Sequence, residues 1–181
     1  MAVSVMIFDY RGYGRSEGEL SEAGALLDAR AARTWLAKAE SVAEDQVVLY
    51  GHSLGAAVMV DLASESGARG LILSNGFTSL PDVLAAHPWI PAWPFNGHNV
   101  DSVAKITKYR GPLLITHGDS DMVIPQQLGM RLFELANEPK QFVSLPGEGH
   151  DDMGEAYYAA LDRFIGGLPE VNATEVSEIR P

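Results

Sequence analysis

Three short stretches of this chain carry residues whose types and spacing could do chemistry. Gly51-His52-Ser53-Leu54-Gly55 fits the pattern G-x-S-x-G. It follows an apolar run and precedes an Ala-rich one, the setting of a sharp strand-to-helix turn that lifts a serine hydroxyl out of a sheet edge. Such a turn needs small neighbours. Gly51 and Gly55 supply them, and Ala56 and Ala57 let the helix pack close to the sheet. The turn also aims the backbone N–H of Leu54 at the place where an oxyanion would form. A serine so presented becomes a nucleophile when a base takes its proton. His150, in Gly147-Glu148-Gly149-His150-Asp151, is the candidate base. A carboxylate in His117-Gly118-Asp119-Ser120-Asp121 could hold that imidazole in the correct tautomer and stabilise its cation. Spacing favours Asp121, which precedes the apolar turn Val123-Ile124-Pro125, and leaves Asp119 open as a cap for the loop or the next helix.

The other histidines read as supporting residues. His52 sits inside the turn, with its side chain expected to point away from the Ser53 hydroxyl. His117 is expected to order its own loop by hydrogen bonding. His87 and His98 are expected to be solvated or to line a pocket. The five histidines do not fall at metal-ligand spacings, so no metal is expected. Gly12 and Gly14 lack the third glycine of a dinucleotide-binding turn, and no cofactor is expected.

These residues need elements to position them. Apolar, β-branched or Leu-rich runs at 3–8, 46–50, 70–74, 112–116 and 141–145 read as five strands. Helical stretches at 22–38, 56–64, 126–137 and 154–165 alternate with them, the last with Tyr157, Leu161, Phe164 and Ile165 on one apolar stripe. Near-continuous apolar strands alternating with helices predict a mostly parallel α/β sheet covered on both faces. In such a sheet ligands sit beyond the carboxyl ends of the strands, and Ser53, the Asp119/Asp121 pair and His150 all follow strands. Residues 81–97 hold four of the ten prolines, two of the three tryptophans and His87. They read as a short cap-like excursion over one end of the sheet. Trp89, Trp93 and Phe95, with Tyr10, are candidates for an apolar acyl pocket, and a packed surface loop is an equal alternative. Residues 1–168 read as one domain and 169–181 as a polar tail.

Composition bounds the function. The 181 residues include 13 Lys plus Arg against 24 Asp plus Glu, a formal net charge of −11. So acidic a chain is a poor ligand for nucleic acid or anionic lipid. Without cysteine it has no disulfide, thiolate nucleophile or cysteine–zinc site. No apolar run approaches the roughly 20 residues of a membrane span, and no basic region precedes the first apolar stretch, so the expectation is a soluble cytoplasmic protein.

Phe8-Asp9-Tyr10-Arg11-Gly12-Tyr13-Gly14-Arg15-Ser16, the Gly51–Gly55 turn, Phe77-Thr78-Ser79-Leu80, His117-Gly118 through Asp121 to Pro125, and Gly149-His150 together resemble the α/β-hydrolase superfamily. The resemblance is to its bud-emergence and acyl-protein-thioesterase-like branch, related to the serine aminopeptidases, and runs from about Val3 to Ile165. It implies Ser53 as nucleophile, His150 as base and Asp121 as acid, in the chain order of that superfamily's triad. The implied activity is hydrolysis of a carboxylic ester or thioester through an acyl-enzyme. The chain departs from the family at its start, where only nine residues precede Tyr10. Family members carry further strands there, one of which lies mid-sheet and bears the loop with the second oxyanion donor. The chain therefore reads as an N-terminally truncated α/β-hydrolase. The alternative is a non-catalytic fragment that binds a partner through its incomplete sheet. In a stable monomer the run at 3–8 is expected to slide sideways and pair directly with the strand at 46–50, since unpaired buried backbone is costly; the alternative is that it stays near its family position and leaves a gap. An exposed strand edge is expected to promote self-association.

Overall fold

A computed structural model describes residues 3–87 and 101–171. Four strands form one parallel sheet in the order β1 (Val48–His52), β2 (Gly70–Ser74), β3 (Leu113–Gly118), β4 (Lys140–Leu145). Helix α1 (Glu22–Glu40) precedes the sheet and α2 (Leu54–Ser66) joins β1 to β2. Among the described residues between β2 and β3 are the short helices α3 (Leu80–Ala86) and α4 (Ser102–Ile106). Helix α5 (Gln126–Leu135) joins β3 to β4, and α6 (Glu155–Gly166) closes the described fold.

Strand periodicity of two distributes the core between two faces. Leu49, Leu71, Leu73, Leu113 and Ile115 pack with Met59, Val60, Leu62 and Leu132 beneath α1, α2 and α5. Ile72 and Leu114 point the other way, onto Ala160, Phe164 and Leu168 beside α6. The central strands β2 and β3 are buried along their whole length, as a parallel sheet with helices on both faces requires. Ser21 caps α1 by accepting the N–H of Gly24, and Ser79 caps α3 by accepting that of Asp82.

Among the described residues the sheet has four strands, where the sequence suggests about five. Residues 3–8 join no ladder, and they do not pair with β1. Their side chains still alternate: Met6 and Phe8 turn inward, while Ile7 is 91% exposed. The reason is where the segment is tied. Arg11 donates its backbone N–H to Asp28 and closes a guanidinium fork on the same carboxylate, at 2.7–3.1 Å. That clamp fixes the segment to α1, and Phe8 packs on the core from there. Met6, Phe8, Ala31, Ala32 and Trp35 line a cleft of about 610 Å³. A strand-like composition supplies a pleat, but a ladder also needs a neighbour in register.

Candidate active site

Ser53 stands between the end of β1 and the start of α2 with φ +53° and ψ −123°. A non-glycine residue there is strained, at a cost on the order of 1–3 kcal/mol. Two contacts enforce the turn. The Ser53 N–H donates to the Ser74 carbonyl at 2.9 Å, tying it to β2. At Gly51 a Cβ would lie 2.3 Å from the Gly55 carbonyl oxygen, so the chain can double back only over glycine. Gly55 plays no such part: a Cβ there would meet nothing within 4 Å, so the second glycine of the pattern is not required by space. Leu54 opens α2, and the N–H of a first helical residue has no carbonyl of its own helix to bind.

His150 comes from the irregular loop after β4. Its Nε2 lies 3.0 Å from Ser53 Oγ and its Nδ1 lies 2.8 Å from Asp121 Oδ2. Three residues separated by up to 97 positions thus form one line of hydrogen bonds, with lengths within reach of proton transfer. The other Asp121 oxygen, Oδ1, accepts the N–H groups of Val123 and Ile124, each at 2.8 Å. Asp119 is turned elsewhere: its Oδ1 accepts from Gly147 N–H and Ser120 Oγ, which steadies the turn after β4. At Gly118 a Cβ would lie 2.2 Å from the Glu148 carbonyl, so the loop bearing the base rests directly on the end of β3.

The supporting histidines brace this loop system. His117 is fully buried and donates Nε2–H to the Ile124 carbonyl at 2.9 Å. Burial pushes its pKa below the ordinary histidine value, against the smaller opposing effects of that hydrogen bond and of Asp121. His87 corrects the sequence reading. It is buried rather than solvated, and its Nε2 donates to the Val123 carbonyl at 2.7 Å. His98 lies outside the described residues. His52 turns its Nε2 to the carbonyl of His150 at 2.8 Å, with the two rings 4.9 Å apart.

The fold brings together a His52, His150 and Asp151 group whose donor atoms lie within 4.8 Å of one another, a proximity that sequence spacing does not reveal. Both ring nitrogens of His150 are already hydrogen-bonded, so a cation there would have to displace one of those bonds. Of the candidate pocket residues, Trp89, Trp93 and Phe95 lie outside the described residues. Tyr10 is half-buried with its ring edge-on to Phe8 at 4.9 Å, and burial, then Asp28, raises its phenol pKa. Sequence reasoning missed Asn75, which directly follows β2. Its side chain meets both the Gly118 N–H and the His150 carbonyl.

The family model described as "Alpha/beta hydrolase family" matches residues 2–101, a stretch that contains the Ser53 turn. The chain belongs to the alpha/beta hydrolase family. Relatives of this hydrolase-fold chain include an uncharacterized protein of Mycobacterium tuberculosis (strain H37Rv), 40% identical over 170 residues, covering 91% of this chain and 60% of that protein. Protein bem46 of Schizosaccharomyces pombe is 31% identical over 179 residues, covering 90% of this chain and 58% of that protein. The chain thus spans about 60% of the length of the curated relatives it matches. Among solved structures, an esterase of Pyrococcus furiosus superposes with a TM-score of 0.70 at 20% identity, covering 88% of this chain and 69% of that one. That likeness carries the fold. Among the described residues, no helix is long and apolar enough to cross a membrane.

Proposed function

We propose that this chain carries the catalytic residues of a serine hydrolase acting on a carboxylic ester or thioester. As Ser53 Oγ attacks the acyl carbonyl, its proton passes to His150 Nε2, and Asp121 stabilises the imidazolium through Nδ1–H. The carbonyl oxygen, now negative, lies toward the N-terminus of α2, where the Leu54 N–H and the helix dipole favour an anion. The proton then moves from His150 to the departing alcohol or thiol. Water attacks the acyl-enzyme with His150 as base, which frees the acid and restores Ser53. Esters and thioesters come before amides, because alkoxide and thiolate leave more easily than amine.

The observation that carries this reading is the unbroken line from Ser53 Oγ through both nitrogens of His150 to a buried carboxylate. The test is turnover of p-nitrophenyl acetate and of an acyl thioester by the purified chain and by Ser53→Ala. Turnover that falls to the solvent rate in the variant supports the reading, and turnover unchanged by the substitution refutes it. The second reading, a non-catalytic protein that binds through its sheet, draws on the outer edge of β1, which pairs with no strand among the described residues. A well-folded chain that turns over neither substrate favours that reading.

A further inference from the structure

The loop that carries His150 is irregular, and its backbone is tied at Gly147 to Asp119, at Glu148 to the Ser120 N–H and at Gly149 to Asp152. At the base itself the anchor is the carbonyl of His150, which accepts two side-chain hydrogen bonds. One comes from Nε2–H of His52, at the end of β1, and the other from the side-chain amide of Asn75. A carbonyl can only accept, so Nε2 of His52 carries its proton and the Asn75 NH₂ faces the loop. The other end of the Asn75 amide is fixed by a partner of opposite polarity: its Oδ1 accepts the Gly118 N–H at 3.1 Å. The two partners together leave one orientation for the amide. Asn75 is itself buried and anchored, with its own N–H on the Thr116 carbonyl at 2.9 Å. Its φ of +49° is in the left-handed region, which asparagine and aspartate tolerate better than other side chains.

Resting on the hydrolase reading above, we propose that Asn75 is a positioning residue for His150. One amide joins three segments: the end of β2, the end of β3 from which the Asp121 loop departs, and the loop of the base. It therefore sets the distance between the acid's loop and the base's loop without touching either side chain. His52 supports the same carbonyl from the β1 side, so the two donors should act as a unit and their substitutions should not add.

The deciding variant is Asn75→Asp. Aspartate keeps an oxygen for the Gly118 N–H and accepts the left-handed backbone, but it presents an oxygen instead of NH₂ to the His150 carbonyl. The readouts are kcat and KM on p-nitrophenyl acetate, and the downfield proton NMR signal of the ring N–H between His150 and Asp121. The account expects kcat to fall about 10–100-fold with KM nearly unchanged, as for a small misplacement of a reacting group. It expects the ring N–H signal to broaden or vanish while the circular dichroism spectrum stays that of the parent. Unchanged kcat with an unchanged signal would overturn the proposal. If Asn75→Asp does not fold, Asn75→Gly, which takes φ +49° freely, is read in the same way. If the parent turns over no ester, the hydrolase reading fails and the NMR signal alone decides: its loss in the variant supports the clamp, and its persistence overturns it.

Discussion

The buried carboxylate of Asp121 reaches Nδ1 of His150 at 2.8 Å with one oxygen, while its other oxygen is held by two backbone N–H groups of its own loop. The acid is therefore fixed before it meets the imidazole, and its Oδ2 oxygen lies nearer His150, at 2.8 Å, than His117, at 3.5 Å. Asp119, two residues away, is exposed and bound to the turn after β4. Asp121→Asn should cut ester turnover by up to about 10⁴-fold, by weakening the hold on the imidazole tautomer. Asp119→Asn should leave it near the parental rate. Steady-state kinetics of the two variants checks this, and equal losses would contradict it.

The two glycines of the serine turn should separate in the same way. Gly51→Ala drives a Cβ into the Gly55 carbonyl, backbone against backbone, and should destabilise the fold by roughly 1–3 kcal/mol. Gly55→Ala meets open space inside the first turn of α2 and should be neutral or stabilising by up to about 1 kcal/mol. Urea unfolding of both variants measures the difference, and comparable destabilisation would be the contrary result.

Acid should weaken the fold through His117. Burial lowers its folded pKa below the unfolded value of about 6.5. Above that pH both states hold a neutral ring and stability is flat. As pH falls below it, the unfolded state takes up a proton that the folded state resists, and stability is lost until the folded pKa is reached. Urea midpoints between pH 7.5 and pH 5 should therefore decline. His117→Gln, which can still donate to the Ile124 carbonyl, should flatten that decline. An identical slope in the variant would remove His117 as its source.

Much of this was legible in the sequence, and the remainder was hidden for one reason. Strand β2 is found at 70–74 as its composition suggests, because the apolar Leu71-Ile72-Leu73 bounded by Gly70 and by Asn75-Gly76 leaves little choice. Ser53 and His150 were legible because each sits in a loop whose small neighbours have a local purpose. The status of residues 3–8 was not, since a strand is defined by a partner that composition does not name. Nor was Asn75, whose two side-chain bonds go to backbone groups 43 and 75 positions away. The burial of His87 was hidden on the same ground, since its hydrogen bond goes to Val123, 36 positions away. Local chemistry shows in a sequence, whereas bonds from a side chain to distant backbone do not.

The exposed apolar side chains of residues 3–8, and the edge of β1 that pairs with no strand among the described residues, should draw copies of the chain together. Light scattering is expected to show association that grows with concentration. Val5→Lys with Ile7→Lys should suppress it, since a charge on such a surface opposes strand recruitment. A parent chain that stays monomeric across the range would contradict this.

The central claim is that Ser53 is activated by His150, and a fluorophosphonate probe followed by mass spectrometry of the digested protein tests it most directly. The account predicts one adduct, on Ser53, absent from Ser53→Ala and slowed in His150→Gln. No labelling of the folded chain, or an adduct on another serine that survives Ser53→Ala, would contradict it.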